Sequence, residues 1–497
     1  MSSEGPLDLA IIGGGAAGTY AAHRLRAAHP EWSISLLEAS GRIGGRLLSV
    51  IPPGGGGQLA ELGGMRFREG HRLVSDAVRS LGLKTRPFST AHAQNRFYLR
   101  GMARTAGDAP EQRGRGYRLE GWERDKTPGE LLMAAFERVI PGAVGLSEAE
   151  LAALIPSREF NGRPLYELSL DDVFAATLSA DAHRFVLDSF GYDSGIRPHN
   201  AADGIPYLLR EAGPHLEDQQ TPIDGMERLP RALADRFEAD GGEVLLGHRL
   251  TGFHAETGDE DPVLCLQFEG RPAIMARRLI LALPRMALES VATASPPMQS
   301  PEISEMLAAV EAYPAHKLYL LYERPWWREG PGSGNLDVSD LPLRKTYYLD
   351  GIEGHPGEGG LVLATYTDGV LVDPWRSLVD GRAPRLDLQP FGSSDRWDDF
   401  APPQAMVDAA QQQLRIMHGR PEIPEPVSGA FISWDVAERG GAWHYWRAGA
   451  RSWEVKPRIV QPVLGLDVYV CGEAYSTAQA WVEGALETAE VVVQRLR

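Results

Sequence analysis

Residues 7 to 13, LDLAIIG, form a short apolar run of the kind that becomes a buried strand. GGAAGTYAAHRLRAAHP follows with alanine-rich helical character and stops at Pro30. WSISLLEAS alternates at first, then turns polar at Glu38, and reads as a second strand. Together these segments make a βαβ unit of about 30 residues.

The pattern then changes twice. From about 101 to 128 the chain is rich in Gly, Arg and Pro, which predicts a long excursion or a domain crossing. From about 129 to 220 the apolar positions follow helical spacing, as in GELLMAAFERVI, LSEAELAALI and SLDDVFAATLSADAHRFVLDSF, so a helical insertion is expected. Strand patterns return after residue 240 in GEVLLGHRLTGF, VLCLQFEG and RRLILALPR, and continue in HKLYLLYE, RKTYYLDG and GLVLATYT. A Gly/Pro-rich loop is expected at 328 to 335. LDVYVCGEA and WVEGALETAEVVVQRL predict a last strand and an amphipathic helix.

A chain of 497 residues is too long for one core and predicts two or three domains. The formal net charge of −17 argues against a nucleic-acid or anionic-membrane binder, since phosphate affinity needs clustered Lys and Arg. Cys265 and Cys471 each sit in an apolar run and read as buried reduced thiols; no Cys/His spacing predicts a metal. The N-terminus lacks the pattern of a signal peptide, and no apolar stretch is long enough to span a membrane, so the expectation is a cytoplasmic protein. A homodimer or higher homo-oligomer is the expected assembly.

Gly13, Gly15 and Gly18 make GxGxxG at the first strand-to-helix junction, with Ala17 inside the motif. Such glycines permit a tight turn, close approach of backbone to a pyrophosphate, and close helix–strand packing. Glu38, beside Ala39 at the end of the second strand, is placed to accept bonds from ribose hydroxyls. A dinucleotide site is the reading.

EASGRIGGR continues with Arg42, Gly44, Gly45 and Arg46, a second glycine turn ending in a cation. This run resembles the flavin-dependent amine oxidase family, which follows its ribose-binding acid with a GGR turn over the flavin diphosphate. VYVCGEAYSTAQAWVEGAL is similar to the family's closing strand, Gly-Glu pair and helix. The resemblance spans nearly the whole chain, through TPIDGMERLP, GGEVLLG and ILALP. It implies an α/β (α+β) fold: a Rossmann-like FAD-binding domain of the glutathione-reductase/amine-oxidase type, a mixed-sheet substrate domain and a helical insertion. The expected divisions are 1–66, 223–305 and 455–497 for FAD, 67–120 and 306–454 for substrate, and 121–222 for the helices.

By the same resemblance Gly13, Gly15, Ala17, Gly18, Glu38, Ala39, Arg46, Gly63, Gly64, Met65, Arg66, Val244, Gly472, Glu473 and Trp481 would line FAD. Val244 would touch the adenine and Glu473 a ribityl hydroxyl. Monoamine oxidases that bind flavin covalently have a cysteine near WDVAERGGAWHYW; none occurs here, so FAD is expected to be non-covalent.

ELGGMRF, residues 61 to 67, resembles the segment with which L-amino acid oxidases place a carboxylate-binding arginine. That implies Arg66, with Arg68 less favoured. A buried carboxylate calls for a cation, best a bidentate Arg. Tyr366 in GLVLATYTDG would donate a second hydrogen bond to the carboxylate, ahead of Tyr347 and Tyr348. Lys317 in AHKLYLLYERPWW matches a lysine that reaches a water near the flavin. Trp443 would wall the pocket; the Ala480 carbonyl would receive the substrate ammonium, with Trp481 beside it. His183, Arg184 and Asp193 are further residues that could set side-chain preference.

The expected activity is oxidation of L-amino acids by hydride transfer to FAD, giving 2-oxo acids, ammonia and hydrogen peroxide with molecular oxygen as acceptor. Rival readings are a monoamine or polyamine oxidase, a tryptophan 2-monooxygenase-like enzyme, an L-amino acid dehydrogenase using another acceptor, and a non-enzymatic relative of the fold that has lost flavin.

Overall fold

Leu9–Ile12 is the middle strand of a five-stranded parallel sheet, flanked by Ile34–Glu38 and Leu279–Leu281, with Glu243–Leu246 and Val468–Val470 at the edges. Every residue of Leu9–Ile12 is buried, because both faces of the sheet are covered. That is why its sequence is a continuous apolar run and does not alternate. The computed structural model describes residues 5–54, 57–211, 218–256, 262–329, 334–349, 359–379 and 396–497.

One face packs against the helices Ala16–Ala28, Arg228–Ala239 and Val482–Leu496 through Leu25, Leu233, Phe237, Leu486 and Val493. The other packs against a three-stranded antiparallel sheet, Leu250–Glu256, Val263–Phe268 and Arg271–Ala276, and against the helices Arg285–Ala294 and Pro301–Ala308. Cys471 is buried as expected, whereas Cys265, on the middle strand of that antiparallel sheet, is only half-buried.

A second, seven-stranded sheet runs Ser428–Trp434, Ala315–Tyr322, Gly360–Asp368, Lys345–Leu349, Leu336–Ser339, Arg96–Leu99 and Met102–Thr105. Its pairings are antiparallel except Leu336–Ser339 with Arg96–Leu99. The excursion expected from about 101 therefore begins as the return strand of a hairpin. The turn is made by Arg100 and Gly101, at φ 53° and 72°, a pair of left-handed residues that suits a tight hairpin. The Gly/Pro-rich loop expected at 328 to 335 lies partly outside the described residues.

The helical region holds Pro128–Val139, Glu148–Leu154, Leu170–Thr177, Ala180–Phe190 and Ala201–Glu211. Three start in reciprocal caps, Thr127 with Glu130, Ser147 with Glu150 and Ser169 with Asp172. Their shared core includes Phe136, Phe174, Phe185 and Leu208, and it reaches Tyr445. Trp443, Ala480 and Trp481 lie against its edge.

Candidate functional site

Gly13, at φ 112°, turns the chain out of the first strand, and a Cβ there would collide with the Ala282 carbonyl. A Cβ on Gly18 would overlap the Gly13 carbonyl, so the helix can sit this close to the strand only with glycine. The helix starts after Gly15 with no side-chain cap, leaving its first N–H groups free for an anion. Gly45, at φ 57°, closes over Gly15; its Cβ would stand 3.0 Å from the Gly15 Cα. Two bare backbones thus face each other where a diphosphate would pass.

Glu38 lies at the mouth of this turn. It accepts from the Gly14 N–H at 2.7 Å and from the N–H and hydroxyl of Ser40 at 2.8 and 2.7 Å. Ala39 is exposed and Ala17 buried. Val244 is half-buried on the neighbouring strand, opposite Leu36. Arg42 is not part of this surface: it is buried, donates to the Leu47 carbonyl at 3.0 Å and lies 3.6 Å from Glu227. Glu227, fully buried, also meets Arg231 at 2.9 Å and Arg396 at 3.1 Å.

Arg46 points the other way and pairs with Glu473. His444 Nδ1 lies 2.6 Å from the same carboxylate, which accepts only, so Nδ1 carries the proton. Burial works to raise the Glu473 pKa, but Arg46 and His444 outweigh it and hold the carboxyl down at about 2. Gly472, at φ 138°, leads into Glu473 and donates to the Thr488 hydroxyl at 2.8 Å. The helix Val482–Leu496 follows Trp481 without a side-chain cap. Gly63 and Gly64 lie along the GGR segment, with N–H bonds of 3.1 Å to the Leu48 and Arg46 carbonyls, and Met65 is buried behind them.

These residues fit an FAD: an uncapped glycine-rich helix start for the diphosphate, an acid at the ribose position, and an Arg–Glu pair beside a second helix N-terminus.

Arg66 is half-buried, among the rings of Phe88 and Tyr347. Its Cζ is 5.2 Å from the Phe88 ring centre and 5.8 Å from that of Tyr347. Its Nε has no hydrogen-bond partner, and among the described residues no carboxylate lies within ion-pair distance. Burial opposes its charge; the tyrosines 347, 192 and 366 favour it and prevail. Arg68, by contrast, is engaged: it pairs with Glu211 at 2.8 Å and sits 5.4 Å from the Trp481 ring.

Tyr366 belongs to an aromatic cluster. Its ring centre is 5.1 Å from Tyr192, 6.2 Å from Trp443 and 6.5 Å from Tyr347. The sequence reading placed Tyr347 behind Tyr366 and missed Tyr192, yet the Tyr192 and Tyr347 hydroxyls meet at 3.1 Å beside Arg66. Tyr192 follows the end of a helix and carries no periodic signal. Tyr348 faces the opposite side of the sheet and donates to Asp337 at 2.9 Å.

Lys317 is the third residue of its strand and is buried; its Nζ donates to the carbonyls of Glu61 and Gly63 and lies 4.5 Å from the Tyr366 ring centre. Trp443 donates from Nε1 to the Ser194 hydroxyl at 2.9 Å. Ala480 holds a left-handed φ of 66°, and its N–H reaches Glu473 at 3.3 Å. Trp481 meets His71 edge-on at 4.9 Å. His183 Nε2 lies 2.9 Å from Asp171, with burial lowering the imidazole pKa, while Arg184 and Asp193 form local ion pairs with Asp188 and Arg197 at 2.9 and 3.3 Å; Asp193 is buried, His183 half-buried and Arg184 exposed.

An uncapped glycine-rich helix start, a second uncapped helix start beside Arg46 and Glu473, and a half-buried arginine among tyrosines together fit a flavin-dependent oxidoreductase. The chain belongs to the flavin-containing amine oxidoreductases, whose family model matches residues 16–497, and it uses FAD. It is 27% identical to aplysianin-A of Aplysia kurodai, over 98% of this chain and 90% of the relative. It is also 27% identical to an L-amino-acid oxidase of Mus musculus, over 77% of this chain and 57% of that protein. In fold it is similar to a putrescine oxidase double mutant made for a redesign of cofactor binding, with TM-score 0.71, 18% identity, and coverage of 99% and 98% of the two chains.

Proposed function

We propose that the protein is an L-amino acid oxidase. The observation that carries this reading is Arg66: a half-buried cation among tyrosines, with no carboxylate partner among the described residues. Leaving a charge so placed is costly, and a substrate carboxylate relieves the cost. The likeness to the mouse L-amino-acid oxidase supports the same substrate class.

Bound FAD would supply the hydride acceptor for the substrate α-carbon, with oxygen as the final oxidant. Arg66 holds the α-carboxylate, with the Tyr366 hydroxyl as second donor. The Ala480 carbonyl, turned by its left-handed backbone, receives the amine. Trp443 and Trp481 close the space and exclude water. Lys317 holds a water at the reacting edge, and Glu473 with Arg46 keeps the cofactor in place without a covalent bond. Loss of hydride leaves an imino acid, which water hydrolyses to the 2-oxo acid and ammonia, while the two electrons passed to oxygen end in hydrogen peroxide.

Peroxide release across the twenty L-amino acids and their decarboxylated amines tests this, together with Arg66→Ala. Removing one partner of a buried charge pair costs about 2–5 kcal/mol, so kcat/KM for amino acids falls at least about 30-fold. Preferential turnover of amines, with Arg66→Ala unaltered toward amino acids, overturns it.

A further inference from the structure

Arg66 is not the only cation at the aromatic cage. Lys345 opens the strand Lys345–Leu349 and pairs directly with Tyr366, whose partner on its other side is Lys317. Residues opposite one another in antiparallel strands share a face, so the two lysines and Tyr366 form one row across three strands. Lys317 is held by the Glu61 and Gly63 carbonyls, which take two of its three N–H donors. Lys345 is not. Its Nζ stands 3.7 Å from the Tyr192 ring centre and 5.4 Å from that of Phe190, and its side chain remains partly open.

Among the described residues no carboxylate comes within ion-pair distance of Lys345. The acid nearest in effect, Asp368, is engaged by the Asp193 N–H at 2.8 Å, the Ser194 N–H at 2.9 Å and the Ser194 hydroxyl. Arg344 is turned to Asp188 and to backbone carbonyls. Ring faces offset only part of the cost of removing an ammonium from water. Tyr347 sits between the two cations, and both Arg66 and Lys345 act on its hydroxyl. A neutral substrate side chain would leave one of the cations uncompensated, and a basic one would add a third positive charge.

We propose that the site takes a dicarboxylic L-amino acid, Arg66 binding the α-carboxylate and Lys345 the side-chain carboxylate. This rests on the amino-acid oxidase reading and names its substrate class. The helical region contributes through Phe190 and Tyr192, which hold the Lys345 ammonium against their rings.

The test uses the FAD-loaded enzyme and compares kcat/KM for L-glutamate, L-aspartate, L-leucine and L-lysine in wild type, Lys345→Met and Lys345→Arg. Wild type prefers one of the two acidic substrates, and which one reports the spacing of the cations. In Lys345→Met the ratio of acidic substrate to L-leucine falls at least about 30-fold, and Lys345→Arg recovers most of it. Lys345→Gln replaces the Met variant if that protein fails to fold. Glutarate and butyrate, which cannot be oxidised at an amine carbon, give an independent readout through the flavin absorbance. Glutarate binds more tightly than butyrate to wild type and loses that advantage in Lys345→Met. A wild-type preference for L-leucine or L-lysine, or ratios unmoved by Lys345→Met, overturns the proposal. If amines are turned over and amino acids are not, the oxidase reading fails, while the glutarate titration still decides the Lys345 site.

Discussion

Lys317 reaches back across 256 residues of sequence to place its Nζ 2.8 Å from the carbonyl oxygen of Glu61. Carbonyl oxygens solvate an ammonium without neutralising it. Burial therefore lowers the Lys317 pKa from 10.5 to about 7, with Glu61 opposing and Arg66 assisting. Between those values the folded protein binds fewer protons at this site than the unfolded chain, so the Lys317 contribution to stability rises with pH and is lost as pH falls to about 7. Thermal melts of wild type and Lys317→Met from about pH 7 to 9 check this. The difference, wild type minus variant, climbs across the range; a level or falling difference refutes it.

Glu473 gives the opposite pH window. Its carboxyl is held at about 2 against an ordinary 4.5, so its stabilisation is complete above about 4.5 and disappears as pH falls toward 2. Glu473→Gln leaves Arg46 and His444 without their anion and costs about 1–3 kcal/mol near neutral pH. The Tm gap to wild type narrows below about pH 4.5, and the variant purifies with less flavin per chain. Equal flavin content in both proteins would sink the assignment of Glu473 to the cofactor.

Glycine substitutions separate the cofactor turn from its surroundings. An alanine methyl at Gly18 meets the Gly13 carbonyl, and one at Gly63 meets the Arg46 carbonyl; neither backbone can withdraw. Gly18→Ala and Gly63→Ala yield colourless or insoluble protein. Gly41 lies in the same loop region, but an alanine methyl there would meet nothing within 4 Å, so this position tolerates alanine and the protein stays yellow. Spectra of the three purified variants decide.

Ala480 carries a φ of 66°, a conformation that costs a non-glycine residue about 1–3 kcal/mol and is worse for a β-branched one. Ala480→Gly melts at or above the wild-type temperature, and Ala480→Val melts lower. A valine variant as stable as wild type would show that this backbone can relax without loss.

What could be read from the chain was its local grammar. LDLAIIG, the glycines at 13, 15 and 18, and the Glu38 strand end lie within one βαβ unit, so spacing alone placed them. Arg66 could be singled out because its motif is contiguous. The partners of these residues were invisible, since they come from other elements. Glu227 gathers Arg42 and Arg396 from distant segments, besides Arg231 one turn along its own helix. Glu483, an ordinary first-turn acid by its sequence, instead accepts from the N–H groups of Leu73 and Val74 and caps a different helix. Tyr192 and Lys345 escaped notice for the same reason: a loop tyrosine and a strand lysine acquire meaning only through the cross-strand register beside Tyr366. The capping boxes of the helical region were legible in TPGE, SEAE and SLDD but went unread.

The cofactor cleft draws its two helix starts from opposite regions of the chain, Gly15 and Trp481, with Glu473 supplied beside the second. On a translating ribosome these halves do not exist together. The Gly18 turn is made first, and Glu473 follows after roughly 20 to 90 s at about 5–20 residues per second. Throughout that interval the nascent sheet lacks its Val468–Val470 edge and Arg46 lacks its anion. Flavin capture is therefore a closing act of synthesis, possible only once the last strand and helix have joined the sheet.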